Sequence, residues 1–198
     1  VRKTQRRIVV FTSLVSVLIL TSALLLALSP APLSPEACAS LFAIDAPTTL
    51  DDIFRTRKTV TRGQWSHIYI RHSRTTSGNA STVGGPGGLG DHFLIGNGDG
   101  TLDGEIQIGH RWNMQESALP PAGARSIDPA CVSICLVGDF DRTTPTPTQL
   151  RRLSQLVSTL QYRLDIPRDR VILLDVPESP AGIGRYFPST AMHASLPR

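Results

Sequence analysis

A chain of 198 residues holds one domain of ordinary size plus a tail, because a single hydrophobic core is typically complete by roughly 100–150 residues. The formal charge of +4 looks basic, but Arg2, Lys3, Arg6 and Arg7 account for all of it: 20 basic residues less these four leave 16, against 16 acidic ones. The body is therefore neutral, which removes the electrostatic case for a nucleic-acid partner.

In chain order, residues 1–7 read as a basic cytoplasmic tail. Ile8 to Leu28, IVVFTSLVSVLILTSALLLAL, carries no charge and is long enough at about 1.5 Å per residue to span a hydrocarbon core of roughly 30 Å. A cleaved signal peptide has a shorter apolar region, about 7–15 residues, so the length favours a transmembrane anchor or uncleaved signal. The basic flank orients it, predicting a single-pass membrane protein whose C-terminal domain is periplasmic or extracellular. Cys38, in PEACAS, lacks the leucine three positions upstream that a lipoprotein signal needs. Residues 29–60 are expected to be a proline-rich linker (SPAPLSP) and a lead-in, with the ordered domain over 61–198.

Within that domain Trp65 to Ile70 is β-branched and predicts a strand, which runs directly into Arg71 and His72. Thr75 to Gly90, TTSGNASTVGGPGGLG, is too glycine-rich and aperiodic for a helix and is expected to be a flexible loop. HFLIGNGDGTLDGEIQIGH then gives an apolar run, a turn at Asn97 to Gly100 and a second strand. Asn-Gly and Asp-Gly supply the positive φ that hairpin turns require. An irregular stretch from Ala118 to Asp128 leads to a strand over Val132 to Val137. Cys131 and Cys135 lie four apart there, about 13 Å between Cα atoms in a strand, too far to bridge each other.

Thr146-Pro147-Thr148-Gln149 has the order of a capping box with proline at the first helical position. Leu150, Leu153, Leu156, Val157, Leu160 and Leu164 follow at helical spacing. A last strand, Val171 to Val176, leads into the loop ESPAGIGRYFPST. Strand, hairpin, strand, amphipathic helix, strand predicts an α/β domain: a mixed β-sheet flanked by helices, with the long helix covering one face.

HFLIGNGDGTLDGEI, then His110 and Asn113, then SICLVGDF, the TPTQLRRLSQLVSTLQYRL helix and GRYFP together resemble the type 2 N-acetylmuramoyl-L-alanine amidases, which share their fold with the peptidoglycan recognition proteins. The resemblance spans about Trp65 to Pro188. It implies a groove for peptidoglycan stem peptides and a zinc ion held by two histidines and a cysteine. A fourth coordination position would carry the water that attacks the amide between muramic acid and alanine.

Carried over position by position, the first ligand falls on Arg71, the second on Leu174 and the third on Gly182. A guanidinium repels a cation, and leucine and glycine offer no donor atom, so these are vestigial zinc-ligand positions and no metal or cofactor is expected. A tyrosine of the family pattern becomes Asp91. His72, one step beyond Arg71, should face the opposite side of the sheet.

The resemblance thus implies a zinc-less relative that contacts peptidoglycan stem peptide or a cell-wall protein, with His72, His92, His110 and Asn113 as the candidate ligand-contacting residues. The alternative is an active peptidoglycan amidase with zinc held in a rearranged site that includes His72. Asp139 and Asp141 read as a turn after the strand, and Trp65 and Trp112 as core residues.

Overall fold

The computed structural model describes residues 15, 16, 21, 49–121, 126–174 and 183–196. The chain divides into two units, Val1–Ala46 and Pro47–Arg198. In the first, Val15, Ser16 and Thr21 are helical. The expected membrane span and linker otherwise lie outside the described residues, among which no helix is long and apolar enough to cross a membrane.

The long helix forms where its capping box predicts. In α3 (Pro147–Leu164), Thr146 Oγ1 accepts from the Gln149 backbone N–H while the Gln149 side chain accepts from the Thr146 N–H. Leu153, Leu156, Val157, Leu160 and Leu164 are buried along one stripe, and Asp165 ends the helix in the left-handed conformation. That stripe packs on a five-stranded sheet made of β1 (His67–His72), β2 (Phe93–Ile95), β3 (Ile106–Ile108), β4 (Cys131–Leu136) and β5 (Val171–Leu173), in the order β3-β2-β4-β1-β5. Only β2 and β3 pair antiparallel; β2 with β4, β4 with β1 and β1 with β5 are parallel. The sheet is mixed, as expected.

Alternation along the strands separates two faces. Ile68, Ile70, Phe93, Ile95, Val132, Ile134 and Leu136 join α3 in the main core. On the opposite or front face, Leu94 and Val137 pack with Leu89, Ala80 and Val83. The last three come from the glycine-rich stretch, which is not the featureless loop expected. It contains a helix, α1 (Ala80–Gly84). Asn79 caps it by accepting from the Ser81 and Thr82 N–H groups while Thr82 Oγ1 accepts from the Asn79 N–H, an Asn-x-x-Thr version of the capping box. Hydrogen bonds made by caps thus outweigh glycine's low helix propensity here.

The lead-in also belongs to the second unit: Ile53 is fully buried in the main core and its carbonyl accepts from Trp112 Nε1–H. Trp112, on α2 (His110–Met114), and Trp65 are buried as expected, their rings tilted by 35° at 5.9 Å between centroids. Cys131 and Cys135 are both free and buried. A short α4 (Ser189–Ser195) closes the described chain, and Ser154 on α3 lies 3.1 Å from Ser195 between hydroxyl oxygens.

Candidate functional site: an ion pair on the front face of the sheet

β1 connects to β2 across β4, whereas β4 connects to β5 across β1. The two connections leave in opposite directions and on opposite faces, the first through α1 and the second through α3. Ligand crevices in α/β sheets form at such topological switch points. Arg71 and His72, the last two residues of β1, stand at this one.

Their side chains part. Burial in β1 alternates so that Ile68, Ile70 and His72 face the α3 side, while His67, Tyr69 and Arg71 lie half-buried on the front. β1 pairs with β5 through Tyr69 opposite Ile172 and Ile70 opposite Leu173, and the Leu174 N–H donates to the Ile70 carbonyl. Continuing that parallel register by one step sets Leu174 beside Arg71 on the front face. Two of the three positions onto which the resemblance carries a ligand are thus neighbours, and the third, Gly182, lies outside the described residues.

The Arg71 guanidinium reaches across β4 to Asp91. Nε–H donates to Asp91 Oδ1 at 2.9 Å and an Nη2–H to Oδ2, while an Nη1–H donates to the His72 carbonyl at 3.2 Å. Ser133 Oγ donates to Asp91 Oδ1 at 2.5 Å. The pair is nearly dry: the Asp91 side chain is 2% exposed and that of Arg71 17%. Burial alone would weaken the charge on Arg71, but negative charge on the neighbouring Cys135 sulfur, once deprotonated, and on the Asp91 carboxylate outweighs it, so its pKa is raised. Cys135, opposite Arg71 in the register, has its own thiol pushed up to about 12 by burial.

The expected histidines lie elsewhere. His72 is fully buried, stacked on Phe140 at 5.3 Å, with Nδ1 3.2 Å from the Phe140 N–H nitrogen and 3.1 Å from the Gly138 carbonyl. Its Nε2 has no partner among the described residues, and burial lowers its pKa. Phe140 in turn carries the GRYF segment: the Tyr186 N–H donates to its carbonyl, and at Gly184 (φ +114°) a Cβ would lie 2.6 Å from its backbone, so only glycine fits.

His92 is also fully buried, between Trp65 and Trp112. Its Nδ1 accepts from the Ser133 N–H at 3.0 Å, so Nε2 is the protonated nitrogen and donates to the Glu116 carbonyl at 2.8 Å. Burial takes its pKa down to about 4. Both ring nitrogens are committed, which leaves no lone pair for a metal or a ligand.

His110 is exposed and Asn113 half-buried on α2, whereas His72 and His92 are fully buried. The structure therefore does not bring His72, His92, His110 and Asn113 together on one surface. Asp139 sits in a turn, its side chain accepting from the Asp141 N–H and its carbonyl from the Arg142 and Thr143 N–H groups.

A zinc ion does not fit the described residues of this site. A guanidinium bonded to a carboxylate occupies the front face at the first ligand position, hydrocarbon stands at the second, and among the described residues no three His, Cys, Asp or Glu side chains converge as a metal requires.

No protein-family model and no curated protein matches the chain. Amidases and PGRPs are among the similar solved structures. The N-acetylmuramoyl-L-alanine amidase LysC from Clostridium intestinale is 20% identical, with 70% of this chain and 94% of that one covered and a TM-score of 0.44. PGRP-Hd from Alvinella pompejana is 14% identical over 71% of this chain and 89% of its own, with a TM-score of 0.42. Bumblebee PGRP-SA is likewise 14% identical, over 68% and 88%, with a TM-score of 0.44. Likenesses of this size leave the chemistry to the chain's own residues.

Proposed function

We propose that this chain is an exported, membrane-anchored domain of the amidase type that binds peptidoglycan stem peptide without zinc and without hydrolysing it. The order of sequence landmarks from Trp65 to Pro188 supports the peptidoglycan connection. The Arg71–Asp91 pair supports the loss of chemistry: both residues depart from the family pattern, at a ligand and at its neighbouring tyrosine, and the two departures bond to each other. A metal and a buried guanidinium are alternative ways of placing positive charge on this face, and Arg71 supplies it with its counterion attached. Without a metal, no described side chain is arranged to acidify a water or to stabilise a tetrahedral oxyanion.

Purified full-length chain should carry far less than one zinc per molecule by elemental analysis. It should be retained by insoluble peptidoglycan and release no stem peptide from it. Stoichiometric zinc together with chelator-sensitive release, abolished in His72→Ala, would establish the rearranged-site enzyme instead. Failure to be retained would remove the wall ligand.

A further inference from the structure

Arg71 has five N–H donors and uses three: Nε–H and one Nη2–H on Asp91, and one Nη1–H on the His72 carbonyl. One N–H on each terminal nitrogen is left without a partner among the described residues, on a side chain that keeps 17% of its surface exposed. Two features restrict what those donors accept. The guanidinium already has its counterion: Asp91 is 2% exposed and held by Ser133 as well, so the cluster is neutral. Around it the front face is apolar and half-open, with Tyr69 and Ile172 side by side in the register and Leu174 one step on.

A carboxylate brought onto Arg71 would leave one uncompensated negative charge in this poorly hydrated place, whereas an amide carbonyl takes the same two hydrogen bonds and adds no charge. We infer that the Arg71–Asp91 pair is a recognition site for a neutral peptide carbonyl, with an apolar ligand side chain on Tyr69, Ile172 and Leu174. The site thus selects an amidated or internal peptide carbonyl over a free acid. This inference rests on the proposed binding function and names its chemical selectivity.

The charge argument predicts a reversal. Asp91→Asn keeps an acceptor for Arg71 and Ser133 but removes the counterion, which leaves a net positive site that favours the acid. The test is titration of the full chain with two probes of equal length that carry one carbonyl group each, 4-methylpentanamide and 4-methylpentanoate, followed by calorimetry and by the Arg71 Nε–H nuclear resonance.

The parent should bind the amide at least threefold more tightly than the acid and shift the Arg71 resonance, and Asp91→Asn should reverse the order. Arg71→Met with Asp91→Asn, two uncharged side chains in place of the pair, should keep the fold and lose at least tenfold in affinity for the amide. It carries the test if Asp91→Asn alone fails to fold. Equal binding of both probes by the parent, no binding of the amide, an unchanged preference in folded Asp91→Asn, or undiminished binding by the double variant would each overturn the inference. Amide binding by a chain that insoluble peptidoglycan does not retain would uphold it and overturn the wall ligand alone.

Discussion

Replacing Arg71 by methionine isolates the energetics of the front-face pair. The substitution keeps the length of the aliphatic stem but leaves Asp91, 2% exposed, with the Ser133 hydroxyl as its one side-chain partner among the described residues. Two unit charges roughly 4 Å apart attract by about 4 kcal/mol at an effective dielectric of about 20, and removing one partner of a buried pair typically costs about 3–5 kcal/mol. With a urea m-value of about 2 kcal/mol/M, a loss of about 4 kcal/mol moves the unfolding midpoint of Arg71→Met down by about 2 M.

Asp91→Leu should cost less, because Arg71 is the more exposed partner and can hydrate. The double variant Arg71→Met/Asp91→Leu strands no charge. It should recover most of the loss, apart from about 1 kcal/mol for the Ser133 hydroxyl left without its acceptor. Urea denaturation of the four chains, followed by far-ultraviolet circular dichroism, gives the coupling energy directly. A coupling energy below about 0.5 kcal/mol, with the two single losses simply adding, would refute a tight buried pair.

Further outcomes follow from the same structure. His92 titrates at about 4 in the folded chain against an ordinary value of 6.5, so the unfolded chain binds more protons between these values. Its contribution is complete above pH 6.5 and is lost as pH falls toward 4, by about 3 kcal/mol. His72, lowered in the same direction, adds to this, and His92→Gln should flatten the slope without removing it. Thr146→Ala removes both the cap of α3 and the hydroxyl that donates to Asp103 Oδ1 at 2.5 Å, at about 1–2 kcal/mol by denaturation; Leu156→Ala, fully buried, should cost about 2–5 kcal/mol. Cys131 and Cys135, buried and each pushed up to about 12, should resist iodoacetamide at pH 8 until the domain is unfolded.

Local chemistry made much of the fold legible in the sequence. The cap, the proline at the first turn and the leucine spacing of α3 are all contained within nineteen residues, Thr146 to Leu164, and depend on nothing beyond them. The period of two in β1 likewise determined that Arg71 and His72 part to opposite faces, because one step along a strand reverses a side chain whatever surrounds it. The glycine-rich stretch misled for a related reason. Its helix depends on the reciprocal Asn79–Thr82 bonds and on Ala80 and Val83 finding Leu94 and Val137 across the front face, and such contacts do not register as periodicity.

What only the tertiary structure decided is which side chains answer one another across strands. Arg71 and Asp91 lie twenty positions apart, and the intervening chain crosses β4 before they meet. Read singly, one is an arginine at the end of a strand and the other an aspartate before a histidine. The register of β1 on β4 and β4 on β2 joins them. Likewise His92 carries nothing in its neighbours along the chain that commits both of its nitrogens; the Ser133 amide and the Glu116 carbonyl do so, from β4 and from beyond α2. Composition and spacing set what each residue can do, whereas hydrogen-bond partners distant along the chain set what it is free to do. Sequence alone cannot rank those partners, because their energies are realised only when folding has removed the competing water.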